Sequence, residues 1–72
     1  MTIIFSDHAK FQLKKRNISK ELVKKVVLNP QSTKSSFRER KLFRRLIDDK
    51  LLEVVIKIEG SRLIVITGYY LK

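Results

Sequence analysis

The chain has 72 residues, enough for one domain but too few for two hydrophobic cores, so we expect a single domain over residues 1–72. Seventeen Lys and Arg residues against seven Asp and Glu residues give a formal net charge of +10. There is no cysteine and one histidine, which excludes disulfides, a thiolate zinc site and a site of several histidines. We therefore expect no metal and no cofactor.

The chain shows no signal for a membrane or for secretion. No apolar run approaches the roughly 20 residues of a membrane helix, and no signal peptide opens the sequence. We expect a cytoplasmic protein without a membrane partner. The charge of +10 indicates a polyanionic partner, and nucleic acid is the commonest one.

The first part of the chain predicts a strand and two helices. Residues 2–5 read as a short strand. Ser6 is the predicted N-cap of a helix over residues 7–16, and Ser19 is the predicted N-cap of a second helix. Asn29-Pro30 ends that helix, because the residue before proline leaves the helical region. Two helices so close in sequence are expected to form an antiparallel hairpin.

The second part of the chain predicts a sheet. Residues 31–36 read as a polar connection, and a short strand is predicted near Phe37. Three strands follow, at residues 41–48, 51–58 and 62–71, separated by short polar turns. The predicted fold is α+β: a short strand, a two-helix hairpin and an antiparallel meander of three or four strands, with the helices on one face.

Strand alternation predicts which side chains face the helices. In residues 51–58 the even-numbered apolar residues Leu52, Val54, Ile56 and Ile58 share one face. With an odd-length turn before the last strand, Ile64 and Ile66 join this core face. The opposite, open face then carries Glu53, Lys57, Thr67 and Tyr69. In residues 41–48 both faces are apolar enough to be buried, so either Arg44 or Arg45 points outward.

Basic side chains on strands, next to tyrosines, are typical of single-stranded nucleic-acid binding. Arginine suits bidentate phosphate recognition, whereas the helical lysines are more simply read as a solvated face. The candidates for RNA binding are Arg38, Arg40, Lys41, Lys57, Arg62 and Lys72.

Five residues are candidates for catalysis. General acid–base chemistry on a phosphate-binding face needs groups that transfer protons and a cation that stabilises developing negative charge. Tyr69, Glu53 and His8 are the candidates for proton transfer, and Arg44 and Arg45 are the candidate cations. The more ordinary role of Glu53 is an ion pair with an arginine. His8 ranks below Tyr69, because we expect it to pack beneath the sheet edge and to matter for stability.

The chain resembles a known family over almost its whole length. The motifs that carry the resemblance are His8-Ala9, Leu13, Arg16, Ile18-Ser19, Leu22-Val23, Asn29-Pro30, Leu52-Glu53-Val54-Val55 and Ile66-Thr67-Gly68-Tyr69. They resemble a prokaryotic domain-of-unknown-function family of the DUF4258 type. That family looks like a relative of the BrnT toxins and a branch of the RelE/ParE toxin superfamily.

The resemblance implies the toxin of a type II toxin–antitoxin pair. Such a toxin would be a metal-independent mRNA endonuclease, with or without the ribosome, silenced by an acidic antitoxin. Such enzymes use basic residues, sometimes a tyrosine, and an arginine that stabilises the phosphorane charge; by strand position alone, these roles would fall to Arg44, Arg45, Arg62, Tyr69 and Lys72. The chain departs from the pattern at Gln12, where a helical arginine is usual, and at Thr67-Gly68-Tyr69, where many members carry an arginine.

Two other functions fit the same sequence. One is a non-catalytic RNA- or protein-binding module of the same fold, since ParE-type members are not nucleases and fold alone does not determine activity. The other is an accessory protein that acts only with a partner. The sequence determines neither the RNA sequence preference nor the oligomeric state.

Overall fold

The computed structural model describes residues 2–71 and shows a five-stranded mixed sheet with two helices. The elements in chain order are β1 (Thr2–Phe5), α1 (Asp7–Lys15), α2 (Lys20–Leu28), β2 (Ser32–Ser35), a 3-10 turn (Phe37–Glu39), β3 (Arg40–Ile47), β4 (Lys50–Glu59) and β5 (Arg62–Leu71). The strand order is β1-β5-β4-β3-β2; β1 runs parallel to β5 and all other neighbours are antiparallel. The predicted α+β class, with a short strand, two helices and an antiparallel meander of three or four strands, is confirmed, and the meander has four strands. Within residues 2–71, neither helix has the length and apolar character to cross a bilayer.

Both helices begin at the predicted serine. The Ser6 hydroxyl accepts a hydrogen bond from the backbone N–H of Ala9 at 3.0 Å, and the Ser19 hydroxyl accepts one from Leu22 at 3.1 Å. These bonds satisfy N–H groups that the first turn of a helix leaves without partners. The Ser6 hydroxyl also donates to the carbonyl of Val65 at 3.2 Å, so this cap ties α1 to β5.

The hydrophobic core lies between the helices and one face of the sheet. Its buried apolar residues are Ala9, Leu13, Ile18, Val23, Val26, Val27, Leu52, Val54, Ile56, Leu63 and Val65. The predicted core positions Leu52, Val54 and Ile56 are therefore confirmed. Ile58 is exposed, because it lies at the end of β4, beside the turn to β5.

The polar segment after α2 is a strand rather than a connection. Ser32–Ser35 pairs with β3 as the outermost strand of the sheet, and all four residues are exposed. An edge strand needs no apolar face, so its sequence lacks the alternation that signals a strand. The strand predicted near Phe37 is absent; Phe37 begins the turn between β2 and β3.

The last strand faces the core differently from the prediction. The turn between β4 and β5 has two residues, so Ile58 pairs with Leu63 and Ile56 pairs with Val65. Leu63 and Val65 are therefore buried, and the assignment of Ile64 and Ile66 to the core was wrong. A bulge then leaves Ile66 without an opposite residue on β4 and reverses the alternation.

The two caps predict different losses of stability. Ser19→Ala removes one cap, and we expect it to lower the free energy of unfolding by about 1 kcal/mol. Ser6→Ala removes the equivalent cap and also the hydrogen bond to Val65, so we expect a further loss of roughly 0.5–1.5 kcal/mol. Urea denaturation of both variants measures the difference. Equal losses would show that the Ser6–Val65 bond does not stabilise the fold.

Candidate functional site

Three polar side chains from neighbouring strands lie side by side on the open face, the sheet face turned away from the helices. Arg44 of β3 is opposite Glu53 of β4, and Glu53 is opposite Tyr69 of β5. Opposite residues of neighbouring strands point to the same face, so the three side chains meet. The sequence-based placement of Glu53, Thr67 and Tyr69 on the open face is confirmed.

Glu53 is the centre of this group and is only 3% exposed. The Nε of Arg44 donates to Oε1 of Glu53 at 2.5 Å, and the hydroxyl of Tyr69 donates to Oε2. A buried carboxylate is tolerated when its charge is paired and its oxygens accept hydrogen bonds. Both conditions are met here, so the expected ion pair between Glu53 and an arginine is confirmed.

Arg16 reaches the same group from the end of α1. It lies one turn beyond Leu13, on the helix face that packs against β5. Its Nη1 donates to the hydroxyl of Thr67 and to the carbonyl oxygen of Gly68, both at 3.1 Å. Its guanidinium carbon lies 6.0 Å from the centroid of the Tyr69 ring, at the outer limit of a cation–π contact.

We call Arg16, Arg44, Glu53 and Tyr69 the Glu53 cluster. The last three were candidate site residues from the sequence, whereas Arg16 was not. One signal could have indicated it: Arg16 is the only arginine among the basic residues of positions 7–28, and all the others are lysines. Arginine is favoured over lysine where one cation must donate several directed hydrogen bonds.

Gly68 lies where α1 packs against β5, and its carbonyl oxygen is one of the two groups that Arg16 bonds. A Cβ at position 68 would lie 3.1 Å from Cδ2 of the buried Leu13, closer than ordinary packing allows. Within residues 2–71, β1 pairs with β5 only at Arg62–Val65. Beyond Val65, the edge of β5 on the β1 side has no neighbouring strand in the described part of the chain. Arg16 passes this uncovered edge and reaches the open face.

The environment of Tyr69 changes its acidity. The hydrogen bond to Glu53 raises the pKa of Tyr69 above the ordinary value of about 10, and burial and the charge of Glu53 act in the same direction. The cations Arg44 and Arg16 oppose this effect and lower the pKa. Tyr69 is thus a neutral phenol at pH 7, hydrogen-bonded to the carboxylate of Glu53.

The structure shows which of Arg44 and Arg45 faces the open side, a point that the sequence left undecided. Arg44 faces the open side, whereas Arg45 is opposite the buried Leu52 and faces the helices. The Nη1 of Arg45 donates to the carbonyl oxygen of Asn29 at 2.9 Å. Arg45 therefore lies outside the Glu53 cluster and joins β3 to the end of α2.

His8 also lies outside the cluster. Its side chain is exposed in the first turn of α1, so the expectation that it packs beneath the sheet edge was wrong. It is eight residues from Arg16, about 12 Å along the helix axis. Within residues 2–71, His8 and the carboxylates form no group of three that could hold a metal ion.

The candidate RNA-binding residues do not all share one face. The register places Arg40, Lys57 and Arg62 on the open face. Lys57 also forms an ion pair with Glu59 at 3.2 Å, and both side chains are partly exposed. Such an exposed pair is weak and can exchange for a phosphate contact.

Three further candidates have other positions. Lys41 is opposite Ile56 and therefore lies on the helix side of β3, at its exposed end. Arg38 lies in the turn between β2 and β3. Lys72 lies outside the described residues.

The raised pKa of Tyr69 gives a direct test of the cluster. Tyr70→Phe leaves Tyr69 as the only tyrosine, so tyrosinate absorbance then reports Tyr69 alone. We expect its midpoint above about 10, and we expect Glu53→Gln to lower it toward that value, because the charge is removed. The contribution of Tyr69 to stability is fully present below about pH 10 and is lost as the pH rises through its folded-state pKa. A midpoint at or below 10 while circular dichroism still shows folded protein would contradict the Tyr69–Glu53 bond.

Comparison with known proteins identifies a family without an assigned activity. No functionally curated protein matches the chain, and no solved structure matches it. The model of a domain of unknown function, DUF4258, matches residues 5–70, a range that contains all four residues of the Glu53 cluster. The chain belongs to the DUF4258 family.

Proposed function

We propose that this protein binds single-stranded RNA across the open face and cleaves it at the Glu53 cluster without a metal ion. In the cell it would act as the toxin of a type II toxin–antitoxin pair that cuts mRNA, as the resemblance to the RelE/ParE superfamily implies. One observation carries the proposal: a neutral phenol is bonded to a buried carboxylate between two arginines, in a protein of charge +10. Metal-free cleavage requires these three parts: a proton acceptor, a proton donor and a cation.

The proposed reaction moves one proton along the Tyr69–Glu53 hydrogen bond. The 2′-hydroxyl of one nucleotide attacks the neighbouring phosphorus, and the Tyr69 oxygen accepts its proton while Tyr69 passes its own to Oε2 of Glu53. The proton returns through Tyr69 to the 5′-oxygen of the next nucleotide, which leaves as a hydroxyl. The other fragment ends in a 2′,3′-cyclic phosphate. No water or other reactant is consumed, and Glu53 and Tyr69 end as they began.

The arginines supply positive charge where the phosphorane forms. Arg44 bonds Glu53 through Nε rather than through its terminal nitrogens, and 32% of its side chain is exposed. A guanidinium has five N–H donors, so Arg44 can bond Glu53 and a phosphate at once. Arg16 lies on the other side of Tyr69, held by Thr67 and Gly68. Charge fixed in place before the reaction lowers the barrier without a cost of reorganisation.

A second candidate function is RNA binding without cleavage. Both carboxylate oxygens of Glu53 already accept hydrogen bonds, and the side chain is almost fully buried. A carboxylate so fully engaged can act as a buried anchor that holds Arg44 and Tyr69 in place. In that case the open face binds RNA and no residue transfers a proton. A cleavage assay distinguishes the two functions.

The cleavage prediction concerns two substitutions in the cluster. Wild-type protein, incubated with single-stranded RNA and a chelator, with and without ribosomes, is expected to produce fragments ending in a 2′,3′-cyclic phosphate. Tyr69→Phe and Glu53→Gln are each expected to lower the rate by about 10²–10⁴, because each interrupts the proton path. The same substitutions are expected to relieve growth arrest when the protein is induced in cells.

The matched control for Tyr69→Phe is Tyr70→Phe, since Tyr70 faces the helices and packs against the core. Thermal unfolding of every variant sets an assay temperature at which all are folded. Unchanged cleavage in Tyr69→Phe would contradict the proton path, and cleavage lost on adding chelator would contradict the metal-free reaction. Binding without cleavage by the wild-type protein would favour the second function.

The binding prediction compares two neighbouring arginines. Affinity for single-stranded RNA should fall with salt, with a slope of about −0.7 for each phosphate contacted. Arg44→Ala is expected to weaken binding and to reduce the slope by about 0.7, because Arg44 lies on the open face. Arg45→Ala serves as the control, because Arg45 faces the helices. Equal losses from the two substitutions would show that the open face is not the RNA-binding surface.

The proposed protein partner is an acidic antitoxin that covers the same face. Complementary charge would speed its association and make it dependent on salt. The binding assay described above detects such a partner as a competitor of RNA. If a complex forms and RNA still binds it with full affinity, the two ligands do not share a face.

A further inference from the structure

The tip of the β2–β3 hairpin carries an aromatic side chain that the fold does not use. Phe37 is 88% exposed, more than any other large apolar side chain within residues 2–71. A ring in that position contributes almost nothing to the core, because stabilisation follows the apolar area removed from water. Packing therefore gives no reason for an aromatic residue at this position.

The turn that presents Phe37 has an unfavourable backbone. Arg38 and Glu39 follow it with φ angles of 57° and 61°, in the left-handed region that favours glycine. Two consecutive residues with positive φ form the type I′ turn that hairpins favour, but neither Arg38 nor Glu39 is the Asn or Gly that this turn prefers. The turn keeps Phe37 at the tip and places Arg38 directly beside it.

The surroundings of Phe37 are cationic. Phe37, Arg38 and Arg40 line a surface hollow of about 460 Å³, and Phe37 also borders a second hollow of about 390 Å³ beside Ser35. Residues 34–45 contain six basic residues and one acidic residue. An aromatic ring between cations matches the way proteins hold single-stranded nucleic acid: the ring stacks on a base and the cations bind phosphates.

The hairpin tip and the Glu53 cluster are connected along one strand. Arg40 and Arg44 point to the same open face of β3, four residues apart, which is a distance of about 14 Å. An RNA strand with one phosphate at Arg44 that follows β3 therefore reaches Phe37 after a few nucleotides. A short RNA would therefore contact only the Glu53 cluster, whereas a longer RNA would also reach Phe37.

We propose that Phe37 is a base-stacking subsite for single-stranded RNA, with Arg38 and Arg40 binding the phosphates that flank the stacked base. This inference rests on the proposed RNA binding by the open face and adds a second contact point, a few nucleotides from the Glu53 cluster. A second copy of this chain is a poor occupant of the tip, because two molecules of charge +10 repel each other.

The first experiment measures how the affinity depends on RNA length. Phe37→Ala is expected to weaken binding of a dodecamer by about 5- to 150-fold, the range given by one lost base stack, and to leave binding of a dinucleotide unchanged. Phe11→Ala is the matched control: Phe11 is also a phenylalanine, 64% exposed, but it lies on α1. Both variants are expected to unfold at the wild-type temperature, because neither ring is buried.

The second experiment detects the stacking itself. The chain has no tryptophan, so Phe37→Trp introduces a single tryptophan at the tip, whose fluorescence can be excited at wavelengths that tyrosine does not absorb. The dodecamer is expected to quench its fluorescence. A dodecamer that lacks bases at every position has the same phosphates and is expected to bind without quenching. Equal quenching by both oligonucleotides would overturn the assignment of a base to this subsite.

The outcomes separate this subsite from the proposed function. If the wild-type protein binds no RNA, both are overturned. If it binds RNA and Phe37→Ala matches Phe11→Ala on the dodecamer, the subsite alone is overturned. If Phe37→Ala binds RNA normally but no longer binds a protein partner, the tip is a protein-docking site, and the assignment to RNA is wrong.

Discussion

The buried carboxylate of Glu53 is the constraint on which the rest of the open face depends. A negative charge removed from water is costly unless a cation and hydrogen-bond donors surround it. Arg44 and Tyr69 provide these partners, one from each neighbouring strand. Because both partners donate hydrogen bonds to Glu53, Arg44 acts here as a cation and Tyr69 as a protonated phenol. One structural need therefore assembles the groups that metal-free RNA cleavage would use.

Two local irregularities bring these partners together. Without the bulge at Ile66, the alternation of β5 would direct Tyr69 toward the helices, because Leu63 and Val65 face the core. A side chain at position 68 would press on the end of the buried Leu13 side chain, so the glycine leaves room for α1 beside the carbonyl that Arg16 bonds. Bulges and closely approached glycines often occur beside functional sites for this reason.

The distribution of charge gives the two faces of the sheet different roles. The helix face is filled by the core, and Arg45 on that side is used to hold the end of α2. The open face has no helix over it within residues 2–71, and it carries Arg40, Arg44 and Lys57 around the buried carboxylate. The polar edge strand β2 extends this face to the hairpin tip. A shallow basic surface with a buried carboxylate at its centre is better suited to an extended polyanion than to a small molecule in a deep pocket.

Local patterns were enough to predict the helices, their caps at Ser6 and Ser19 and the class of the fold, because caps and apolar periodicity involve residues close in sequence. Alternation also put Glu53 and Tyr69 on one face. This was correct only because two errors cancelled: the turn before β5 has an even number of residues, and β5 contains a bulge that the sequence pattern did not predict. The tertiary structure alone decided that Arg44 rather than Arg45 faces the open side, because both faces of β3 are apolar and only pairing with β4 selects between them. It alone brought Arg16 to Tyr69, residues 53 positions apart, because that contact depends on how closely α1 packs against β5.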